Sequence, residues 1–285
     1  MKRTNIDRDW LFVRKGLQNF PQMMTAGAET VHLPHDFTIG AEVSPEIAEA
    51  GGTGYYQGGI GTYTKYIYCP ANADDHRYLV EIDGAYRNAE VSLNGNLVCQ
   101  QPNGHMPFHA DLTPFIKAGQ ANRLSISVNN SAPLDSRWYN GSGIYRHVDL
   151  LTGPAVHLAP WSIFARTERI SADGTAIVLA DVTVENRTAK PVTEQVTLTL
   201  TPQGAALPAA FAAVPVTVPP LGRRAARLRV AVRQAALWEP ENTHLYEVAA
   251  RLGNGDIDIT LFGIRQVTVD AVHGLLLNGK TLKLK

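Results

Sequence analysis

The sequence predicts an all-β chain of two successive sandwiches, a jelly roll followed by an immunoglobulin-like β-sandwich. Three observations carry that expectation. Apolar and polar residues alternate with period two in many short runs, the mark of half-buried strands. No stretch longer than about ten residues keeps a helical period. Gly, Pro, Asn and Asp recur between the runs, where turns need positive φ or a fixed φ.

At roughly 100–200 residues per domain, the 285 residues predict two domains. Hydrophobic residues make up 45% and charged residues 18%, so the chain can bury cores and is not disordered over most of its length. Lys plus Arg and Asp plus Glu are 26 each, a zero balance that speaks against a dedicated binder of nucleic acid or membrane surface. No apolar run approaches the roughly 18 residues of a membrane span. Met1–Asp7 lacks the apolar core of a signal peptide, so a cytoplasmic location is expected. Cys69 and Cys99 allow one bridge at most and are expected as two buried free thiols.

In the first domain, expected over 1–153, Thr62–Tyr68, Tyr78–Ile82 and Arg123–Val128 are strands. Ala89–Leu93 runs into Asn94-Gly95 and then Asn96–Cys99, a hairpin signal, because a type I′ turn needs positive φ at both central residues. Short helical turns fit Ser44–Glu49 and Thr113–Lys117, each with Ser or Thr to cap and Pro in the first turn. Long Gly- and aromatic-rich loops, 51–61 and 103–111, fit a jelly roll and mark the domain as one whose loops work.

Composition shifts near Thr152-Gly153-Pro154 and becomes rich in Ala, Val and Thr. Strands are expected at 176–185, 192–200, 214–218, 226–232, 245–252 and 257–262, separated by turns such as Asp173-Gly174 and Pro219-Pro220-Leu221-Gly222. About seven short strands in roughly a hundred residues fit an immunoglobulin-like sandwich over 154–269, without an intersheet disulfide. In 270–285 a second hairpin turns at Asn278-Gly279, and its return strand alternates to Lys285. That ending predicts a chain that is the front of a longer protein.

The stretch Ser136-Arg137-Trp138-Tyr139-Asn140-Gly141-Ser142-Gly143-Ile144-Tyr145-Arg146-His147-Val148 resembles the S-R-W-Y-P-G-[AS]-G-I-Y-R-x-V pattern of the N-terminal half of family 2 glycoside hydrolases, the β-galactosidases above all. Asn140 stands where the pattern has Pro. Leu33-Pro34-His35-Asp36-Phe37, Gly52–Tyr56, Leu237–Asn242 and Phe262-Gly263-Ile264-Arg265 agree in the same order, and Leu277–Lys280 resembles the hairpin that opens the family's barrel. The resemblance spans the whole chain. It implies a sugar-binding, galactose-binding-like jelly roll, an immunoglobulin-like domain, and a (β/α)8 catalytic barrel of which 270–285 is the opening hairpin. It also implies retaining hydrolysis of terminal β-galactosides by two barrel glutamates about 5 Å apart, the chain alone being inactive. The partners implied are the β-galactoside or a related carbohydrate, the chain's own barrel and a homo-oligomer. β-Glucuronidases and β-mannosidases share the architecture. No catalytic residue falls in this sequence. Galactosidases of the family often use Mg²⁺ or Na⁺, but those ligands lie largely on the barrel, so no cofactor or metal is assigned here.

Arg137 is the leading substrate-binding candidate, because a guanidinium presents a planar fork of donors to sugar hydroxyls, and in the family this loop lies at the barrel mouth. It is equally able to pair with Asp135. Trp138 and Tyr139 offer apolar platforms for the C–H face of a pyranose, or pack between sheets. Asn130, in Asn129-Asn130-Ser131, suits a loop brace or a sugar hydroxyl. His35 and Asp36 fit a loop-fixing hydrogen bond better than a dyad. His105, His109 and Asp111 have a ligand-like spacing but no helix to converge them. Glu239 and Glu241 read as a solvated acidic turn beside a packed Trp238. The Gly51–Gly54 and Gly58–Gly61 stretches lack the Lys-Ser/Thr ending of a phosphate loop. Two rivals to the glycosidase front end are a standalone carbohydrate-binding module and a spacer that builds oligomer contacts.

Overall fold

The computed structural model describes residues 1–15, 28–41, 43–47, 50–72, 76–132 and 139–284. Residues 3–152 form one compact unit, and 153–285 together with the first two residues form the other. Both are built from antiparallel sheets.

The first unit contains β1 (Lys2–Asn5), β2 (Trp10–Lys15), β3 (Glu29–Val31), β4 (Gly59–Cys69), β5 (His76–Ile82), β6 (Ala89–Leu93), β7 (Asn96–Gln101), β8 (Phe108–Asp111), β9 (Gln120–Asn130) and β10 (Val148–Pro154). A six-stranded sheet runs β3-β2-β4-β9-β6-β7 and a four-stranded sheet β1-β10-β5-β8. Period-two alternation decides which face is buried. On β9 Leu124, Ile126 and Val128 are fully buried, while Arg123, Ser125 and Ser127 point the other way. Trp10, Tyr63, Ile82, Leu93 and Ile144 complete the largest part of that core. The hairpin turns as expected, with Asn94 at φ 53° and Gly95 at φ 88°. Asn94 also donates to Phe115 O and Asn122 Oδ1, 2.9 and 2.8 Å away, so the turn is held by its side chain too.

The second unit has β11 (Val156–Ile170), β12 (Ala176–Asn186), β13 (Val192–Pro202), β14 (Ala210–Val218), β15 (Gly222–Val232), the short β16 (Trp238–Glu239) and β17 (Asn242–Thr243), then β18 (Tyr246–Leu252) and β19 (Ile257–Phe262). Sheets β11-β12-β15 and β14-β13-β18-β19 give the seven strands of an immunoglobulin-like sandwich. Val178, Val182, Leu198, Leu200, Leu228 and Val248 fill its core. The sequence patterns above mark no strand at β1, β2, β3, β8, β10, β11, β16 or β17. β11 hides because its register breaks between Leu158 and Ile163, where Trp161 takes φ 53°, and a bulge resets the alternation.

The final segment holds a small sheet of β20 (Val267–Asp270), β21 (Gly274–Leu277) and β22 (Lys280–Thr281). Its turn is of the expected kind, with Asn278 at φ 51° and Gly279 at φ 77°. The return strand is two residues long, shorter than the alternation to Lys285 predicts; beyond it a Leu282 N–H bond to Leu275 O at 2.8 Å continues the contact. Three motif stretches meet here. Trp238 donates its N–H to Ile264 O at 2.9 Å, a Cβ on Gly263 would sit 2.8 Å from the Trp238 ring, and Asn278 Nδ2 donates to Trp238 O at 3.1 Å. Lys280 Nζ reaches Glu239 Oε1 at 3.0 Å, so Glu239 is an ion-pair partner on a turn.

Thr113–Phe115 is a single 3₁₀ turn with Pro114 at its start. Asp111 Oδ1, rather than a Ser or Thr, accepts the Thr113 N–H at 3.1 Å. Glu46 N–H donates to Ser44 Oγ at 3.3 Å in the other expected turn, which remains a turn through residue 47. Both cysteines are free; Cys69 is buried, whereas Cys99 is only half-buried. Among the described residues no helix is long and apolar enough to cross a membrane.

Candidate functional site

The polar loops of the first unit converge on Asp36. Backbone pairing brings the segments together: His35 N–H donates to Ile144 O and Phe37 N–H to Ser142 O, both at 2.8 Å. The loop after β3 is thereby zipped to residues 142–144. Asp36 Oδ1 accepts the Thr38 N–H at 2.9 Å, the Thr38 hydroxyl at 2.6 Å and the Ser142 N–H at 3.0 Å. Its Oδ2 accepts the Tyr139 hydroxyl at 2.8 Å. Tyr139 Oη also lies 2.7 Å from Thr38 Oγ1, so two hydroxyl protons serve three close oxygen pairs. Burial pushes the Asp36 carboxyl up, but the bonds from Thr38, Ser142 and Tyr139 outweigh it and hold the group below the usual carboxylate range. The Tyr139 hydroxyl is pushed up to about 12, by burial first and then by the Asp36 charge.

Glycine is required where this cradle closes. A Cβ on Gly141 would lie 2.3 Å from Asp36 Oδ2. On Gly143, at φ +137°, it would lie 2.4 Å from His35 O and 2.5 Å from Tyr63 Oη. Ser142 between them is buried, and its Oγ accepts a 2.8 Å bond from Asn130 Nδ2. Asn130, at the end of β9, is therefore tied to the 139–143 segment. Arg14 fixes the neighbouring loop by donating to Gln57 O and Gly58 O at 2.7 and 3.0 Å. The Tyr56 ring stands 5.5 Å from the Tyr139 ring, and Tyr139 keeps 37% of its surface exposed. The cradle thus presents a two-ring edge to solvent.

His35 and Asp36 take different hydrogen-bond partners. His35 Nδ1 is 2.9 Å from Tyr63 Oη and its ring meets Phe12 edge-on at 4.9 Å, while burial lowers its proton affinity. Each of the pair fixes the loop through a different neighbour. Arg137 and Trp138 lie outside the described residues, which resume at Tyr139. His105, His109 and Asp111 are directed apart. His109 Nε2 bonds Glu81 Oε2 at 2.5 Å, Asp111 pairs with Arg77, and the His105 ring faces Tyr86 at 5.2 Å. Among the described residues no group of three or more His, Cys, Asp or Glu is placed to hold a metal ion.

Sequence reasoning identified Asp36, Tyr139 and Asn130 one by one but missed that Asp36 holds Tyr139 and Ser142, the residue Asn130 also binds. The paired glycines of Gly141-Ser142-Gly143 mark a close backbone approach, but nothing local names Asp36 as the group approached.

Residues 29–154 match the model described as the sugar binding domain of glycosyl hydrolases family 2, and 156–265 match a second model of the same family. The chain is 30% identical, over 99% of its length, to 34% of the β-galactosidase BoGH2A of Bacteroides ovatus. It is 24% identical, over 98% of its length, to 31% of a β-glucuronidase of Formosa agariphila. A solved family 2 member from Bacteroides cellulosilyticus superposes with a TM-score of 0.88 at 28% identity, covering 100% of this chain and 38% of the other. The chain spans about a third of the length of these curated relatives.

Proposed function

The chain belongs to glycosyl hydrolase family 2, and from that premise we propose that it is the jelly-roll and immunoglobulin-like front of a longer retaining glycosidase acting on terminal β-galactosides. The observation that carries the reading is the Asp36 cradle, which fixes Tyr139 and Ser142 and so anchors the sequence next to Arg137 and Trp138. In this reading Arg137 donates to hydroxyls of the sugar in the first subsite and Trp138 stacks on its C–H face. Asn130, held to Ser142 through its amide nitrogen, offers its carbonyl oxygen to a further hydroxyl. The acid and the nucleophile are two carboxyl groups of a barrel that follows, about 5 Å apart as retention demands. Relatives about three times this length support that division of labour.

The 285-residue chain alone is expected to give no turnover of nitrophenyl β-galactoside, while the product of the extended reading frame hydrolyses it with retained anomeric configuration. Turnover by the 285 residues alone overturns the reading. Because relatives include a β-glucuronidase, the extended protein should be assayed on the nitrophenyl β-glucuronide as well. Faster cleavage of that substrate would reassign the sugar but leave the architecture.

A further inference from the structure

We propose that the outer face of the sheet β14-β13-β18-β19, in the immunoglobulin-like unit, is a docking surface for a second copy of this chain, packed face to face about a two-fold axis. The inference goes beyond the reading above, since association here needs no barrel and no sugar.

Strand β18 turns Tyr246, Val248 and Ala250 into the core and presents Glu247, Ala249 and Arg251 on the other face. The register carries that face across the sheet. One row runs Phe211, Thr199, Ala249, Ile259, and Ile257 and Leu261 flank Ile259 on the edge strand β19. Phe211 is 73%, Ile259 50% and Leu261 53% exposed, whereas Ala249 is nearly buried between its register partners. By side-chain size the face is a shallow trough, with small residues along its floor and large apolar ones at both rims. Apolar groups gathered on one sheet face mark a contact surface.

Charge selects the partner. The outward positions of β13, β14 and β19 hold only neutral side chains, so Glu247 and Arg251 carry all the charge of the strands on this face. No hydrogen bond or ion pair within the described residues engages either. Four positions apart, they stand about 14 Å from each other along the strand and cannot pair. Both lie two positions from Ala249, on opposite sides. A second copy turned over about an axis along the Ala249 row therefore sets each Glu247 opposite Arg251 of the other copy, and each Leu261 opposite Ile257. An axis along the strands would instead cover Glu247 with Thr201 and Arg251 with Thr197, leaving every charge without a partner. A foreign apolar surface would do the same. Two sheets so packed lie about 10 Å apart. Four strands make a small footprint for a specific interface, so a dissociation constant on the order of 10 μM is expected.

Sedimentation equilibrium of the 285-residue chain tests this. A monomer–dimer equilibrium is expected. Glu247→Arg and Arg251→Glu, each alone, set like charges against each other at both pairs and should weaken association at least about tenfold. An equimolar mixture of the two variants restores opposite charges at both pairs of the mixed dimer and should recover association. The exchange Glu247→Arg/Arg251→Glu in one chain should recover it too. Phe211→Ser should weaken association several-fold, whereas Phe164→Ser, at an exposed ring on β11 of the other sheet, should leave it unchanged. All these positions are exposed, so equal melting temperatures in dilute solution separate lost association from lost folding. Four results would each overturn the proposal: a chain that stays monomeric at about 100 μM, charge variants that associate as the wild type does, a mixture of them that stays monomeric, or an equal loss with Phe164→Ser. None of them bears on whether a barrel follows, so this proposal and the preceding one fail separately.

Discussion

In the immunoglobulin-like sandwich Asp181 forms its ion pairs between strands, whereas in the jelly roll Asp36 and Asp7 are loop carboxylates that join distant segments. On β12, Asp181 meets Arg227 of β15 directly across the ladder at 2.7 Å and Arg166 of β11 diagonally at 3.0 Å. Arg229 of β15 reaches past β12 to Glu168 of β11 at 2.7 Å. These are surface pairs between strands whose backbones and core already fix them. In the jelly roll, Asp36 links residues 38, 139 and 142, and Asp7 accepts the Val148 N–H at 2.8 Å and faces His147 Nδ1 at 2.6 Å. There the side chain itself sets the loop path. Where the backbone ladder defines the structure, polar residues are interchangeable. Where a carboxylate defines it, they are not.

Substitutions can break that contrast, beginning with the most severe. Gly143→Ala sets a Cβ against the His35 carbonyl at a φ that L-residues avoid, and should cost about 4 kcal/mol in urea denaturation. Asp36→Ala removes the acceptor from four donors and should cost about 3 kcal/mol. Asp36→Asn, which keeps part of the acceptor set, should cost less. Arg227→Ala, on β15 at the exposed pair with Asp181, should leave the urea midpoint essentially unchanged. An Arg227→Ala loss as large as that of Asp36→Ala would erase the distinction.

Acid sharpens the same comparison. Asp36 and Glu81 both have folded-state proton affinities below their unfolded ones, and Glu81 is held down to about 2, burial opposing and the bonds from His109 and Arg3 prevailing. Stability from such groups is fully present above the unfolded carboxylate range, near pH 4, and is lost as pH falls through the folded value. The first unit should therefore weaken between about pH 4.5 and 2, and Glu81→Gln should flatten that part of its stability curve. His147 runs the other way: its bond to Asp7 raises it, so its contribution is present below the ordinary histidine range and fades as pH rises through the folded value. Melting temperatures of wild type and His147→Gln should converge toward alkaline pH.

How far the sequence could be read follows from where information sits along it. Strands 62–68, 123–128 and 176–185 were legible because one buried face imposes a local two-residue pattern, and β4, β9 and β12 contain them. β11 was not, because Pro160 and Trp161 interrupt its alternation at a bulge. Both Asn-Gly turns were legible because only a few residues tolerate their backbone. The Asp36 cradle was not, since its partners lie up to 106 positions away and no local period reports them. Only the resemblance of the 136–148 stretch to a known pattern drew the eye there.

The corner formed by Trp238, Ile264 and Asn278 has a mechanical consequence. Asn278 exchanges bonds with Gln266 at 2.8 and 2.9 Å while also gripping Trp238 O. Tension applied at Leu284 in a single-molecule trap would load this clasp before any strand of the seven-stranded sandwich could slide, and Asn278→Ala should lower the first rupture force.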